Sequence, residues 1–302
     1  MKTRIRTLLK EKNAILLAHN YQLPEVQDVA NLTGDSLELS IRATQTSADI
    51  IVFCGVHFMA ETASILSPTK KVLLPRIDAG CPMADMITPE KLLAKRNELG
   101  MDVPVVTYVN SSAAVKALST ICCTSANAVE VANSMNAPEL LLTPDKNLGQ
   151  WVAAHSDQKI HLWEGYCPFH DALTKEMALE IKALHPNAFF LAHPECRPEV
   201  TEIADGVFST SGMLRFAKES NHTQFIIATE IGILYPLQKE NPTKEFIPAS
   251  NKMCCPHMKK TTLQDIVTCL ETETPEIKVP EEIRIQAIKA VEGMVALKKI
   301  NE

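Results

Sequence analysis

Three copies of one sequence pattern follow one another along the chain, and this repetition limits the possible fold more than any other feature. Each copy contains, in the same order, a polar pair after an apolar run, a hydroxyl-bearing turn before a helical pattern, and a Cys-Pro dipeptide. Successive copies lie 89 and 85 residues apart for the first two features, and 86 and 88 residues apart for the third. A shared order at nearly one period indicates a triplicated unit of about 85 to 90 residues.

Short apolar runs alternate with helical patterns within each copy. Continuous apolar runs of this length between helices predict buried parallel strands. We therefore expect an α/β protein in which helices cover parallel sheets. The runs are AILLAH, DIIVFCG and KVLLP, then VPVVTYV, ELLLT and KIHLW, then AFFLAH, QFIIAT and EFIPA.

The repeats are expected to pack tightly as one body, because no Gly/Ser-rich linker separates them. Hydrophobic residues make up 46% of the 302 residues, which is ample for a large buried core. We place the three repeats and the C-terminal helices at residues 1–83, 84–170, 171–260 and 261–302.

The segment after the third repeat predicts two docked amphipathic helices. The first is TTLQDIVTCLETE. In the last helix, Ile285, Ile288 and Val295 recur at roughly helical spacing, so we expect these side chains to face the body of the protein.

The charge and the N-terminal sequence exclude several classes of protein. The net charge of −6 and the pI of about 5.9 give no basic footprint for nucleic acid. No apolar run approaches the roughly 20 residues that span a bilayer, and no signal-peptide core is evident. We expect a cytoplasmic protein, in which the nine cysteines are reduced thiols or metal ligands.

The Cys-Pro dipeptides place one cysteine in each copy, namely Cys81, Cys167 and Cys255. Equivalent cysteines can converge only if the copies surround a common axis, and gathered thiolates require a cation among them. Thiolates suit zinc, Cu(I) and iron–sulfur clusters, and three of them leave one position open on zinc or on a [4Fe–4S] cluster. The neighbouring Cys254 is an alternative third ligand, and burial as small hydrophobic residues is the alternative for all nine cysteines.

The polar pairs lie where the first strand of each copy ends. Residues two apart at a strand end point to the same side, and ligands gather beyond the carboxyl ends of parallel strands. Imidazole, phenol, amide and carboxylate groups can donate, accept and transfer protons. We expect the pairs to ring a common cavity: His19 with Tyr21, Tyr108 with Asn110, and His193 with Glu195.

The hydroxyl-bearing turns contribute Ser36, Ser125 and Thr210. Helix N-termini present free backbone N–H groups and a partial positive charge, which favour phosphates and carboxylates. Ser and Thr are also common N-caps. We expect these residues both to cap helices and to help bind a small polyanionic substrate.

Eleven short segments together resemble the quinolinate synthase family: AHNYQLPEVQDVAN, GDSLELS, FCGVHFMAE, AGCPMAD, YVNSSAAVKA, CTSANA, WEGYCPFH, AHPEC, STSGM, ATEIG and CPHMKK. The resemblance implies three repeated three-layer α/β/α sandwich domains around a pseudo-threefold axis. It also implies condensation of iminoaspartate with dihydroxyacetone phosphate to quinolinate, phosphate and water, in de novo NAD biosynthesis. The implied cofactor is a [4Fe–4S] cluster with an open iron.

By motif, the resemblance assigns Cys81, Cys167 and Cys255 to the cluster, and Tyr21 and Glu195 to acid–base chemistry. The substrate-binding residues that it implies are His19, Ser36, Tyr108, Asn110, Ser125, His193 and Thr210.

One departure from the family pattern is His257, which stands where Asn is usual in Cys-Pro-Asn-Met-Lys. Two other functions stay open from the residues alone: a three-cysteine zinc lyase or hydrolase, and a non-enzymatic iron–sulfur redox sensor. The expected partner that supplies iminoaspartate is an aspartate oxidase or dehydrogenase.

Overall fold

The fold consists of three four-stranded sheets in which every strand pairing is parallel. The computed structural model describes the backbone of residues 1–300 and the side chains of residues 1–297. The strands are Ala14–His19, Leu32–Gly34, Ile50–Cys54 and Lys71–Leu73 (β1–β4); Val105–Tyr108, Ile121–Cys123, Glu139–Thr143 and Lys159–Leu162 (β5–β8); and Phe189–Ala192, Gly206–Val207, Gln224–Ala228 and Glu245–Pro248 (β9–β12).

All three sheets have the same strand order. The orders are β2-β1-β3-β4, β6-β5-β7-β8 and β10-β9-β11-β12, so the first strand of each repeat lies between the second and the third. This identity confirms the triplicated α/β unit that the sequence predicts.

Helices occupy equivalent places in the three repeats. One helix precedes the first strand, and one follows each of the first three strands. The helices are Lys2–Glu11, Pro24–Gln27, Ser36–Gln45 and His57–Leu66 (α1–α4); Pro89–Leu99, Ala113–Lys116, Ala128–Ser134 and Lys146–Ala154 (α5–α8); Pro168–Asp171 (α9); Lys175–Leu184, Pro198–Thr201, Thr210–Glu219 and Leu234–Glu240 (α10–α13); and Leu263–Thr272 and Glu281–Ile300 (α14 and α15).

Each sheet is buried on both faces, which gives the predicted three-layer α/β/α arrangement. Side chains alternate along a strand, so Ile15 and Leu17 pack in one core, whereas Leu16 and Ala18 pack in another. The first of these cores is continuous across all three sheets, and three smaller cores cover the opposite faces. The repeats are therefore joined through one shared hydrophobic core.

The second strand of each sheet is absent from the sequence prediction. These strands are β2, β6 and β10, and they contain only two or three residues each. Segments this short carry no measurable period, and pairing with a longer neighbour is what makes them strands. Their position matters, because each leads to the hydroxyl-bearing turn of its repeat.

The C-terminal helices α14 and α15 dock on the body as predicted, although the buried stripe of α15 differs from the prediction. Ile285 is 58% exposed, so its assignment to the inner face is wrong. The helix contacts β6, α6 and α4, and therefore bridges the first two repeats. Val295 is buried as predicted, and the rest of the stripe consists of Ala287, Ala290, Val291 and Met294, of which the two alanines allow this close approach.

We propose 83, 170 and 260 as the ends of the repeats, because each residue closely follows a cysteine turn. Residues 301–302 of the predicted C-terminal segment lie outside the described residues. Within the described part of the chain, no helix is long and apolar enough to cross a membrane.

Candidate active site

One cavity lies where the three repeats meet, and all twelve predicted site residues line it. The cavity holds about 750 Å³ of empty space, including the part that is open to solvent. The twelve residues come from equivalent loops of three repeats. They are spread over 237 positions of the sequence, from residue 19 to residue 255, and the fold brings them together.

The histidines at the ends of the first strands are held in one tautomer by their own loops. The backbone N–H of Tyr21 donates to His19 Nδ1 at 3.2 Å, and that of Glu195 donates to His193 Nδ1 at 3.3 Å. Because Nδ1 accepts a hydrogen bond, a neutral ring carries its proton on Nε2. His193 Nε2–H then donates to Ser125 Oγ at 3.1 Å.

Both histidines are neutral at physiological pH. Burial lowers the pKa of His19 to about 3, with the nearby Lys259 charge acting in the same direction. Burial also lowers the pKa of His193 to about 3. Neutral imidazoles can donate to a substrate oxygen without adding a fixed positive charge.

Helix starts face the cavity, but the predicted capping roles of Ser36, Ser125 and Thr210 are wrong. Asp35 caps α3 and Ser209 caps α12, so Ser36 and Thr210 are the first residues inside their helices. Ser125 lies in the turn before α7, whose N-cap position is Asn127. These three hydroxyls therefore do not cap helices, and they line the cavity.

The three cysteine turns are anchored by the same backbone hydrogen bond. In each repeat, the N–H three residues beyond the end of the third strand donates to the carbonyl two residues before the cysteine. The distances are 2.8, 2.7 and 2.9 Å, for His57 to Ala79, Lys146 to Gly165 and Ile231 to Met253. This equivalence aligns Cys255, not Cys254, with Cys81 and Cys167.

A second repeated contact reaches the sulfur atoms themselves. The backbone N–H three residues after each cysteine hydrogen-bonds its thiol and lowers the thiol pKa; these residues are Ala84, His170 and Met258. Hydrogen bonds of this kind stabilise thiolates and tune metal centres. Cys254 has no such contact among the described residues and does not line the cavity.

Burial nevertheless keeps the three thiols protonated when no cation is near. It raises the pKa of Cys81 to about 12, and it raises the pKa of Cys167 and of Cys255. A metal must therefore displace these protons when it binds. The other predicted buried cysteines are Cys54, Cys122, Cys123, Cys196 and Cys269, and each is buried away from the cavity lining.

A continuous hydrogen-bond chain links the two predicted acid–base residues and crosses all three repeats. Tyr108 Oη donates to Glu195 Oε1, and His170 Nδ1 lies 2.8 Å from Glu195 Oε2. His170 Nε2 lies 2.8 Å from Thr229 Oγ1, which lies 2.6 Å from Tyr21 Oη. A proton can move along this chain between Glu195 and Tyr21.

The electrostatics of the chain favour an ionised carboxylate beside neutral phenols. Burial works to raise the pKa of Glu195, but His170, His193 and the Tyr108 hydroxyl more than offset it, and the pKa lies well below its usual range. Burial and the Glu195 charge raise the pKa of both Tyr21 and Tyr108. Glu195 is thus an ionised hydrogen-bond acceptor, and the two phenols are protonated donors.

Four residues of this region are missing from the sequence prediction: His170, Thr229, Asp145 and Glu230. The prediction depended on chemical similarity at equivalent positions, and these positions vary. His170, for example, corresponds to Ala84 and Met258, which carry no polar side chain. The sequence indicates His170 less strongly than the residues with similar counterparts, through its position three residues after Cys167.

A metal ion could also bind to a smaller group of side chains. Ligand atoms of Cys167, His170 and Glu195 lie within 4.8 Å of one another. By contrast, no Arg or Lys lines the cavity within the described part of the chain. The polar groups that the cavity offers to an anion are therefore N–H groups and hydroxyls.

The fold and the cavity define the class of protein: a triplicated α/β protein whose repeats enclose a cavity lined by thiols, imidazoles, phenols and a carboxylate. Comparison with known proteins identifies the family. Residues 3–296 match the family described as quinolinate synthetase A protein.

Relatives named quinolinate synthase match nearly the whole chain. The protein of Geobacter sp. (strain M21) is 58% identical over 98% of this chain and 97% of the relative. That of Thermodesulfovibrio yellowstonii is 53% identical over 97% of each chain. Quinolinate synthase 1 of Methanosarcina acetivorans is 52% identical over 98% of this chain and 97% of its own. The chain belongs to the quinolinate synthase family, and it is an enzyme of NAD biosynthesis.

Proposed function

We propose that the chain condenses iminoaspartate with dihydroxyacetone phosphate and releases quinolinate, phosphate and water. The observation that carries this proposal is the convergence of three cysteines and a linked acid–base chain on one cavity. Condensation and dehydration need proton transfer at several atoms and a Lewis acid for the departing oxygen. The cavity supplies groups for both.

The substrate anions are held without fixed cationic side chains. The N-termini of α3 and α12 face the cavity with Ser36 and Thr210 at their first positions, and Ser125 adds a third hydroxyl. Backbone N–H groups and the helix dipole suit carboxylate and phosphate oxygens. Asn110 Oδ1 is buried without a partner, so it can accept a hydrogen bond from a substrate N–H or O–H.

The cysteines fit a [4Fe–4S] cluster. One sulfur comes from each of three equivalent turns, and each receives a backbone N–H, as cluster sulfurs commonly do. Cys81, Cys167 and Cys255 would hold the cluster, which supplies an iron without a protein ligand as a Lewis acid.

The protons are moved by Glu195 and Tyr21. Glu195 is buried and ionised, so it can remove a proton from the carbon that must become an enol. His170 Nδ1 lies 2.8 Å from Glu195 Oε2 and 3.2 Å from Cys167 Sγ. His170 Nε2 and Tyr21 Oη both hydrogen-bond Thr229 Oγ1, so either imidazole tautomer can complete the chain. A proton taken by Glu195 can reach Tyr21 when His170 Nδ1 accepts it, Nε2–H donates to Thr229 and the Thr229 hydroxyl donates to Tyr21, while Tyr21 gives its own phenolic proton to a leaving hydroxyl.

The Glu195→Gln variant tests this function. It keeps the shape of the side chain but removes the base, so we expect turnover to fall by roughly 10²- to 10⁴-fold. The assay is anaerobic formation of quinolinate from freshly generated iminoaspartate and dihydroxyacetone phosphate. The visible absorbance of the metal centre should stay unchanged, and the exposed Glu199→Gln variant should keep normal turnover. Near-normal turnover of Glu195→Gln would contradict the role of Glu195.

A mononuclear zinc enzyme is the second candidate, because Cys167, His170 and Glu195 form a compact group of ligand atoms. Cysteine, histidine and carboxylate are ordinary zinc ligands. Metal analysis after anaerobic purification separates the candidates. About four iron and four sulfide ions per chain support the cluster, and one zinc ion in a colourless protein supports the alternative.

We also propose that the enzyme acts in the cytoplasm and receives iminoaspartate from an aspartate oxidase or dehydrogenase. The nine free cysteines support the cytoplasm, where thiols stay reduced. The supplier is expected nearby because imines hydrolyse readily in water.

A further inference from the structure

One position of the repeated unit carries a different kind of side chain in one repeat than in the other two. It is the second residue after the third strand: Val56, Asp145 and Glu230. The next residue makes the same backbone hydrogen bond to the cysteine turn in all three repeats, so the positions are structurally equivalent. A difference between these side chains therefore acts on otherwise matching cysteine turns.

Glu230 holds the backbone of Cys255. Its Oε1 accepts a hydrogen bond from Cys255 N at 3.0 Å, and its Oε2 accepts one from Gly232 N at 2.7 Å. Lys259 Nζ lies 2.8 Å from Oε1 and supplies the opposite charge. The carboxylate is fully buried, so each of these contacts satisfies an atom that water does not reach.

Asp145 makes the corresponding contact in the second repeat. Its Oδ2 accepts from Cys167 N at 3.2 Å, and its Oδ1 accepts from Leu148 N at 2.8 Å, at the start of α8. The side chain is again fully buried. Asp145 thus ties the cysteine turn to the first turn of a helix.

The Cys81 turn lacks this support. Val56 has no polar atom on its side chain, and the backbone N–H of Cys81 has no acceptor among the described residues. The turn is also loosely packed, because no atom lies within 4 Å of the position that a Cβ on Gly80 would occupy. The residues before Gly80 are held from outside the turn: Arg76 pairs with Asp78 at the surface, and Lys260 Nζ lies 2.6 Å from Asp78 O and 3.1 Å from Asp78 Oδ2. These contacts reach Asp78 and leave the N–H of Cys81 without a side-chain acceptor among the described residues, and exposed ion pairs add little stability.

We propose that Asp145 and Glu230 are positioning residues that fix the backbones of Cys167 and Cys255 for metal binding, whereas the Cys81 turn is the least constrained of the three. The proposal rests on the metal site of the proposed function. Metal ligands that are held in place before binding lose less conformational freedom when the metal arrives. The two supported cysteines form the fixed part of the site, and the Cys81 turn closes on the metal last and releases it first.

Backbone hydrogen exchange of the metal-free protein tests the proposal directly. Deuterium uptake at the three cysteine amides is measured under reducing, anaerobic conditions by mass spectrometry with electron-transfer fragmentation. In the unaltered protein, we expect the Cys81 amide to exchange fastest. The Glu230→Gln variant should speed exchange at Cys255 by about tenfold or more, since a hydrogen bond to a charged group is lost. Exchange at Cys167 should not change.

The Asp145→Asn variant should show the converse, with faster exchange at Cys167 and unchanged exchange at Cys255. An amide side chain offers one uncharged oxygen to two backbone donors, so the bond to the cysteine is weakened in both amide variants. The Glu230→Val and Asp145→Val variants remove both acceptors and reproduce the side chain of the first repeat. If circular dichroism shows that the Val variants are unfolded, the test of the proposal rests on exchange in Glu230→Gln and Asp145→Asn.

The matched control is Glu61→Gln, because Glu61 Oε2 also accepts a backbone N–H, from Ala113 at 3.0 Å, but hydrogen-bonds no cysteine among the described residues. It should leave all three cysteine amides unchanged. In the metal-loaded protein, both Glu230→Gln and Asp145→Asn should lose visible absorbance to a chelator faster than the control.

Equal exchange of the three cysteine amides in the unaltered protein would overturn the proposal. A uniform acceleration of all three amides in the variants would overturn it too, because it would show general destabilisation. Metal content distinguishes this failure from failure of the proposed function: an unaltered protein that binds no iron–sulfur cluster ends the cluster proposal, and the exchange results still decide the role of Asp145 and Glu230.

Discussion

The hydroxyl of Thr229 should be energetically coupled to that of Tyr21, because it joins the first repeat to the third in a buried place. Thr229 is 1% exposed, and its Oγ1 lies 2.6 Å from Tyr21 Oη and 2.8 Å from His170 Nε2. The Thr229→Val variant keeps the shape and removes both contacts. It leaves two buried polar atoms without this partner, at about 1–3 kcal/mol each, so the free energy of unfolding should fall by roughly 2–6 kcal/mol.

The Tyr21→Phe variant should cost less, about 0.5–1.5 kcal/mol, because Thr229 keeps its bond to His170. In the Tyr21→Phe background, Thr229→Val no longer leaves a phenol unsatisfied. The cost of Thr229→Val should therefore be smaller there by about 1–3 kcal/mol, and this difference is the coupling energy.

Urea unfolding of the metal-free, reduced protein gives the four free energies, provided that the dependence on urea concentration is the same for all variants. Thr62→Val is the matched control: Thr62 is also a buried threonine, but its hydroxyl donates to Phe58 O within α4. The cost of Thr62→Val should be the same in the unaltered protein and in the Tyr21→Phe background. Additivity of Thr229→Val and Tyr21→Phe to within about 0.5 kcal/mol would refute the coupling.

Two further predictions concern stability. The neutral His19 and His193 have pKa values of about 3 in the folded protein, so only the unfolded chain takes up these protons as the pH falls below about 6.5. The stabilisation is complete above pH 6.5 and should be lost toward pH 3, at up to about 1.4 kcal/mol per pH unit for each histidine. Urea unfolding at a series of pH values measures how the free energy of unfolding changes with pH, and this change should be smaller for the His19→Asn variant. An equal pH dependence in the variant and the unaltered protein would contradict the assignment. Gly232→Ala should destabilise by about 1–3 kcal/mol, because its Cβ would lie 2.6 Å from Tyr21 O, whereas Gly80→Ala meets no atom within 4 Å and should stay within about 0.5 kcal/mol in thermal unfolding. Equal melting temperatures for the two alanine variants would be inconsistent with the packing around Gly232.

The sequence alone predicts the parts of the structure that the three repeats share. The polar pairs, the hydroxyl-bearing turns and the Cys-Pro turns recur in register, so their convergence follows from symmetry once parallel sheets are assumed. The structure places all of these residues around one cavity. Their individual roles stay predictions, for which the variants above are designed.

The sequence does not predict two kinds of feature: side chains that differ between the repeats, and elements whose structure or orientation depends on long-range contacts. His170 has no polar counterpart in the other two repeats. Val56, Asp145 and Glu230 lie in the register of the repeat, but only the hydrogen bonds to Cys167 and Cys255 give their difference a meaning. The short strands β2, β6 and β10 depend on pairing with a longer neighbour. Ile285 fits a helical period but faces solvent, because the smaller Ala287 and Ala290 allow α15 to approach β6 closely.

Because all three repeats build the cavity, it can form only after the third repeat has been synthesised. Each sheet delivers a strand end, a helix start and a cysteine turn to the same edge, and none of the three sets is complete without the others. A chain that emerges from the ribosome therefore exposes Cys81 and Cys167 well before Cys255 exists. A product that stops before residue 255 lacks the third cysteine turn and one side of the cavity, so the thiols of the first two repeats have no third partner until the last repeat has been made.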